Sequence, residues 1–183
     1  MRIAVTGTHG SGKTTLVEDF VAASAGYEAV PEPYWLLVQQ GVVFADGPDV
    51  AGLEEQLKQS CALLLATSEA DVIFDRCPLD FLAYLEVVSA AEGFEWSPDG
   101  KLLRRVEDAL ATLDLVAFVP LQRPDEITVA IEYPKLRARV DARLKAMLRD
   151  DDLGLLAEGP RLVEVTGTRQ QRVARLRACL VGA

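Results

Sequence analysis

Apolar residues in this chain gather in short unbroken runs, separated by longer stretches of helical period. Ile3-Ala4-Val5, Val72-Ile73-Phe74, Leu115-Val116-Ala117-Phe118-Val119 and Leu162-Val163-Glu164-Val165 each end at a polar or turn residue and read as buried strands. A shorter fifth, Glu28-Ala29-Val30, stops at Pro31. Between them, Leu53, Leu57, Cys61 and Leu64 recur at helical spacing, as do Leu136, Val140, Leu144 and Met147. Strands alternating with helices predict parallel pairing in an α/β sheet covered on both faces. Ligands of such sheets bind beyond the carboxyl ends of the strands. Interest therefore falls on Gly7–Thr14, Glu32, Asp75-Arg76, Val119–Arg123 and Thr166–Arg169.

The segment Gln122–Pro134 is rich in charge and proline and precedes a basic helix, so residues 122–150 read as a lid; Gly41–Gly52 reads as a surface loop. The 183 residues suit one domain. No apolar run approaches the roughly 20 residues that span a bilayer. Met1-Arg2-Ile3-Ala4-Val5 leads straight into a glycine-rich loop, which reads as fold rather than signal peptide. Three scattered cysteines (Cys61, Cys77, Cys179) and a single His argue against zinc and for buried thiols in a reducing compartment. A net charge of −9 lacks the basic footprint of a nucleic-acid binder. The expectation is a cytoplasmic protein with no nucleic-acid or membrane partner; the oligomeric state stays open, a homodimer included.

Gly7-Thr8-His9-Gly10-Ser11-Gly12-Lys13-Thr14 matches G-x-x-x-x-G-K-[ST] without a mismatch, between a strand and a helix that continues through Leu16, Val17 and Phe20. Glycines let the backbone turn its N–H groups onto phosphate oxygens, and the following helix adds its positive end. Lys13 is then a cation for the β- and γ-phosphates and Thr14 a Mg²⁺ ligand. Gly7, His9, Gly10, Ser11, Gly12, Lys13, Thr14 and Thr15 are the expected nucleotide contacts, with His9 read as a solvated residue contributing its backbone.

Asp75 ends a buried-strand run, where a phosphate-loop protein needs an acid for the metal or its water. The competing reading makes Asp75 a cap for a helix with Pro78 in its first turn. Arg76, next to it, is a candidate for substrate or phosphates. Glu32 lies between Pro31 and Pro33, which hold the backbone extended. It is a candidate general base for an acceptor hydroxyl, or else a solvated loop residue. Tyr34 and Trp35 form an aromatic pair that is a candidate wall for a planar substrate, or else core packing. Phe81 and Tyr84 fall at helical spacing and are assigned to the core.

Arg137, Arg139 and Arg143 crowd one helix, and a guanidinium delivered by a lid stabilises charge in phosphoryl transfer. Arg137 with Asp141, and Asp141 with Lys145, equally suit exposed helix pairs. Arg123 and Lys135 belong to the same basic segment. Gly167 and Arg169, after the last strand, are expected to border the nucleotide base, with Arg172 and Arg175 on the helix beyond. Arg105, beside Arg104, is read as surface.

The segments GTHGSGKT, VPEPYW (Val30–Trp35) and FDRCPLDFLAYL (Phe74–Leu85) resemble the nucleoside- and nucleotide-kinase group of P-loop folds, and most of all NadR-like AAA ATP-binding proteins. That resemblance implies a three-layer P-loop NTPase fold with a parallel five-stranded sheet in the order 2-3-1-4-5 and a helical lid. It implies Glu32 as base, Trp35 as pocket wall, Asp75 as metal ligand and Arg76 as substrate or phosphate contact. The leading expectation is a kinase using ATP and Mg²⁺ on a small-molecule acceptor, with Lys13, Glu32, Asp75, Arg76, Arg139 and Arg143 in catalysis and Arg137 on the nucleotide. A slow P-loop ATPase acting as a regulatory module and a nucleoside monophosphate kinase are the alternatives. No N-K-x-D motif follows a later strand, which counts against a GTP switch.

Overall fold

The computed structural model describes residues 1–157 and 159–180. Five strands, β1 (Arg2–Thr6), β2 (Glu28–Val30), β3 (Val72–Asp75), β4 (Leu115–Phe118) and β5 (Arg161–Glu164), form one sheet in the order β2-β3-β1-β4-β5, parallel throughout. These are the strands and the order expected from the apolar runs and the family resemblance. Among the described residues six helices connect them and a seventh follows β5: α1 (Lys13–Ala23), α2 (Pro33–Gln39), α3 (Val50–Ala66), α4 (Pro78–Glu92), α5 (Gly100–Leu110), α6 (Pro134–Asp150) and α7 (Arg169–Ala178).

Successive strand side chains point to opposite faces, so each central strand feeds two cores. Ala4, Val72, Phe74, Val116 and Phe118 face the layer of α3, α4, α5 and α6. Ile3, Val5, Ile73, Leu115, Ala117 and Val119 face Leu16, Val17 and Phe20 of α1 and Leu176 of α7. Burial on both faces is why these strands read as continuous apolar runs rather than alternating ones. The first two turns of α4 are buried, with Leu79, Phe81, Leu82, Ala83 and Leu85 each at most 1% exposed.

Two segments depart from expectation. Pro33 does not continue an extended stretch; it occupies the first turn of α2, where its missing N–H costs nothing, while Glu32 ahead of it keeps extended angles. The segment Gly41–Gly52 is loop only as far as Asp49, whose carboxylate accepts the Gly52 N–H and starts α3.

Phe20 is fully buried between α1 and the sheet, edge-on to Tyr27. Replacing it by Ala removes a large apolar group from a closed core, and denaturant unfolding of Phe20→Ala is expected to show a loss of about 3–5 kcal/mol. A loss below about 1 kcal/mol would mean that this face of the sheet is not close-packed.

Candidate active site

Val5 of β1 lies opposite Asp75 of β3, and Thr6 opposite Phe118 of β4, so three strand ends open side by side. The loop leaving β1 turns back over Val119. A Cβ on Gly7 would stand 2.6 Å from the Val119 carbonyl oxygen, so only glycine passes there. Gly12, with φ +92°, is the residue from which α1 starts. Lys13 is buried, and its Nζ donates to the Thr8 carbonyl at 2.9 Å. Burial lowers its pKa to about 8; the Arg76 charge adds to this, and Asp80, Asp75 and Glu32 oppose it.

Thr14 Oγ1 donates to Asp75 Oδ2 at 2.6 Å. The other oxygen, Asp75 Oδ1, is buried and has no hydrogen-bond partner among the described residues. An unsatisfied buried carboxylate oxygen beside a hydroxyl is a donor pair suited to Mg²⁺, which prefers one or two carboxylates completed by phosphates and water. Asp75 does not cap α4. That helix starts from Cys77, and Asp80 accepts the Cys77 N–H in a capping box.

A cavity of about 440 Å³ opens next to this loop, and His9 belongs to both. Glu32 and Arg76 share its wall, with Arg76 Nε 2.7 Å from Glu32 Oε2. Arg76 has φ +92°, an uncommon conformation for a side-chain-bearing residue, and its guanidinium lies 5.8 Å from the Phe81 ring centre and 5.7 Å from that of Tyr84. Burial raises the Glu32 carboxyl, but the Arg76 charge and hydrogen bond, with Lys13 beyond, outweigh it and hold the group below the usual carboxylate range. Tyr34, Phe44 and Tyr133 supply further aromatic wall, and Asp46, Asp49 and Glu132 add acids.

The structure does not bring Trp35 to this cavity. It is 56% exposed and stacks edge-on against Tyr34, which takes the wall position instead. On α2, Tyr34 turns toward Phe44 and the cavity, and Trp35, about 100° round the helix, lies largely at the surface. Phe81 and Tyr84 are core residues, as assigned, and line the cavity as well.

His9 is not a solvated residue. Its Nε2 lies 2.7 Å from the Glu132 carbonyl and its Nδ1 2.6 Å from the Tyr84 hydroxyl. A carbonyl only accepts, so Nε2 carries the proton; Tyr84 then donates to Nδ1 and accepts the His9 N–H at 2.9 Å.

Of the three helix arginines, Arg137 alone reaches the phosphate loop. It is buried, donates to the His9 and Gly10 carbonyls at 2.9 Å each, and holds the Asp125 carboxylate through both terminal nitrogens. It does not pair with Asp141, whose partner is Lys145 at 2.7 Å. Arg139 is exposed and makes no ion pair among the described residues. Arg143 points away from the loop to Glu86 and, at 2.7 Å, to Asp152. Arg123, Lys135 and Arg105 are exposed. Ile131 and Ile127 of the intervening segment stand where side chains on Gly10 and Gly12 would go, 2.8 Å from each ideal Cβ.

Gly167 donates its N–H to Gln122. The Arg169 side chain turns outward to Asp19 at 2.6 Å, while its N–H meets Glu126 at 2.8 Å. Arg172, placed by the sequence on the helix beyond the last strand, is buried and ties Ser11 O (2.8 Å), Gly167 O (3.1 Å) and Gln122 Oε1 (2.6 Å) together. Thr15 is half-buried in the first turn of α1.

A family model described as an AAA domain matches residues 2–172. No curated protein sequence is significantly similar to this chain. Among solved structures, deoxyadenosine kinase from M. mycoides superposes with TM-score 0.67 at 15% identity, covering all of both chains. Thymidylate kinase from Candida albicans gives 0.64 at 16% identity, covering 99% of this chain and 91% of the other. NadR in complex with NAD and AMP-PNP gives 0.63 at 17% identity, with 97% of this chain lying over 48% of NadR. At such identities the likeness is one of fold.

The histidine contacts set a pH dependence. Burial lowers the pKa of His9 from 6.5, the Arg76, Lys13 and Arg137 charges push the same way, and the Glu132 carbonyl opposes them. The unfolded chain therefore binds more protons than the folded one just below pH 6.5, and stability falls as pH drops through that value. The chain has one His, so its imidazole signals can be followed alone by NMR. They are expected to titrate below 6.5 when folded and at about 6.5 in denaturant; a folded midpoint above 6.5 would contradict the contacts described.

Proposed function

From the premise that this chain belongs to the AAA domain family, we propose that it is an ATP- and Mg²⁺-dependent kinase. In this reading it phosphorylates a hydroxyl of a neutral, nucleoside-like small molecule, with residues 122–150 as the lid of a single domain. The observation that carries the reading is the cavity, which joins the phosphate loop at His9 and holds the Glu32–Arg76 pair in its wall.

The loop N–H groups and Lys13 grip the terminal phosphates, and Thr14 with Asp75 Oδ1 would hold Mg²⁺. Held there, Mg²⁺ would supply positive charge against that developing on the transferred phosphate. Glu32 stays ionised under the influence of Arg76, which engages Oε2, and the carboxylate would take the acceptor hydroxyl as a further partner. A carboxylate held below its usual range is a weak base. Its main work is then to orient the hydroxyl for in-line attack, and the proton moves to it late, which suits a loose transition state. Arg137, already seated on the loop, is the lid arginine placed to meet the transferred charge.

The cavity favours a neutral acceptor over a phosphorylated one. Its single guanidinium, Arg76, is matched by Glu32 and Asp80, and Asp46, Asp49 and Glu132 add negative charge. The aromatic rings suit a planar base. The deoxyadenosine kinase that shares the fold supports an acceptor of the nucleoside class.

The test is turnover of ATP with Mg²⁺ alone and with adenosine, deoxyadenosine, thymidine, their monophosphates and ribosylated pyridines, with products identified by mass. One neutral acceptor is expected to gain a phosphate and to stimulate turnover, and EDTA to abolish both. Glu32→Gln is expected to lower kcat about 10²- to 10⁴-fold with little change in ATP affinity. Slow hydrolysis that no acceptor accelerates would replace this reading with that of a nucleotide-binding ATPase.

A further inference from the structure

We propose that Asp80 is a positioning residue that ties the phosphate loop and Arg76 into one frame, and so fixes phosphoryl donor against acceptor. The inference rests on the kinase reading above. Asp80 sits in the apolar helix α4 and is fully buried. Its carboxylate touches neither the cavity nor the surface, and burial raises its pKa against the opposing charges of Arg76 and Lys13. A charge so placed is costly unless its oxygens are all used.

Capping explains half of it. Oδ2 accepts the Cys77 N–H at 3.0 Å and closes the capping box of α4. An uncharged side chain could do the same. Oδ1 leaves the helix altogether: it accepts the Gly7 N–H at 2.9 Å and stands 3.6 Å from Arg76 Nη1. One carboxylate therefore binds the first residue of the phosphate loop, the backbone that follows Asp75-Arg76, and the guanidinium that holds Glu32. Arg76 keeps φ +92° within that grip.

One turn further along α4, Tyr84 repeats the arrangement. Its hydroxyl accepts the His9 N–H, and its ring lies under Arg76. Residues four apart share a helix face, so α4 presents a two-rung brace to the loop. Of the two rungs only Asp80 carries charge, and only Asp80 bonds Gly7. Its loss would leave each substrate site formed but let them shift against each other, and a misplacement near 1 Å costs about 100-fold in rate.

The experiment compares wild type, Asp80→Asn and Glu86→Gln. Glu86 pairs with Arg143 on the outer side of α4, so its substitution reports loss of helix stability alone. Thermal melting, ATP·Mg²⁺ affinity and turnover with and without the acceptor identified in the panel are measured on each. Asp80→Asn is expected to lose roughly 10- to 100-fold in acceptor-dependent kcat, with ATP affinity within about 3-fold of wild type. Glu86→Gln is expected to melt earlier and keep its turnover. Turnover of Asp80→Asn within about 3-fold of wild type, or an equal loss in Glu86→Gln, overturns the inference. If Asp80→Asn does not fold, Asp80→Ser is read in the same way, and failure of both to fold would make Asp80 a stability residue only. A wild type that no acceptor stimulates defeats the kinase reading itself, and is recognised before any variant is made.

Discussion

β1 and β3 lie side by side with Val5 opposite Asp75, and nearly everything at the site follows from that register. Both strands are parallel, so both chains leave the sheet at the same edge. The loop that leaves β1 ends at Thr14, and the turn that leaves β3 carries Asp75, Arg76 and Cys77. The Thr14–Asp75 hydrogen bond of 2.6 Å closes the gap between them. A slip of one residue would turn Asp75 to the opposite face of the sheet and bury a bare carboxylate among apolar side chains. Paired burial of Ala4, Phe74 and Val116 on one face and Ile3, Ile73 and Leu115 on the other makes that slip prohibitive.

Given that register, the helices act as spacers of different kinds. α1 carries the positive end of its backbone to the loop. α4, its first turns buried, holds Asp80 and Tyr84 against the loop from below. α6 brings Arg137 over the top. The loop is thus gripped by side chains from α4, α6 and, through Arg172, α7, as well as by its own glycines, and the cavity containing Glu32 opens beside it.

What was legible in the sequence was local. The phosphate loop declares itself by spacing, and the strands by their unbroken apolar runs, because both signals lie within a few consecutive residues. The order of the strands came from the family resemblance, not from the runs. The lid arginine was not legible: Arg137, Arg139 and Arg143 are alike in composition. On a helix, however, Arg139 points about 200° from Arg137. Only the packing of α6 decides which one meets the loop. Asp80 was missed because it lies inside PLDFLAYL, where the apolar pattern reads as core; a lone acid in such a stretch was the available signal, since it demands buried partners. Trp35 was expected in the wall from the aromatic pair and the family resemblance; α2, begun by Pro33, turns Tyr34 to the cavity and leaves Trp35 largely exposed.

The clasp of Arg137 on His9, Gly10 and Asp125, with Ile127 and Ile131 against the glycines, joins stretches far apart in the chain: Arg137 is 128 residues from His9 and 127 from Gly10. Contacts of such separation close long stretches of chain and favour slow folding. Synthesis runs from the N-terminus, so the loop is made well before the segment that clasps it. The most local motif of the sequence is thus finished by one of the most distant contacts of the fold.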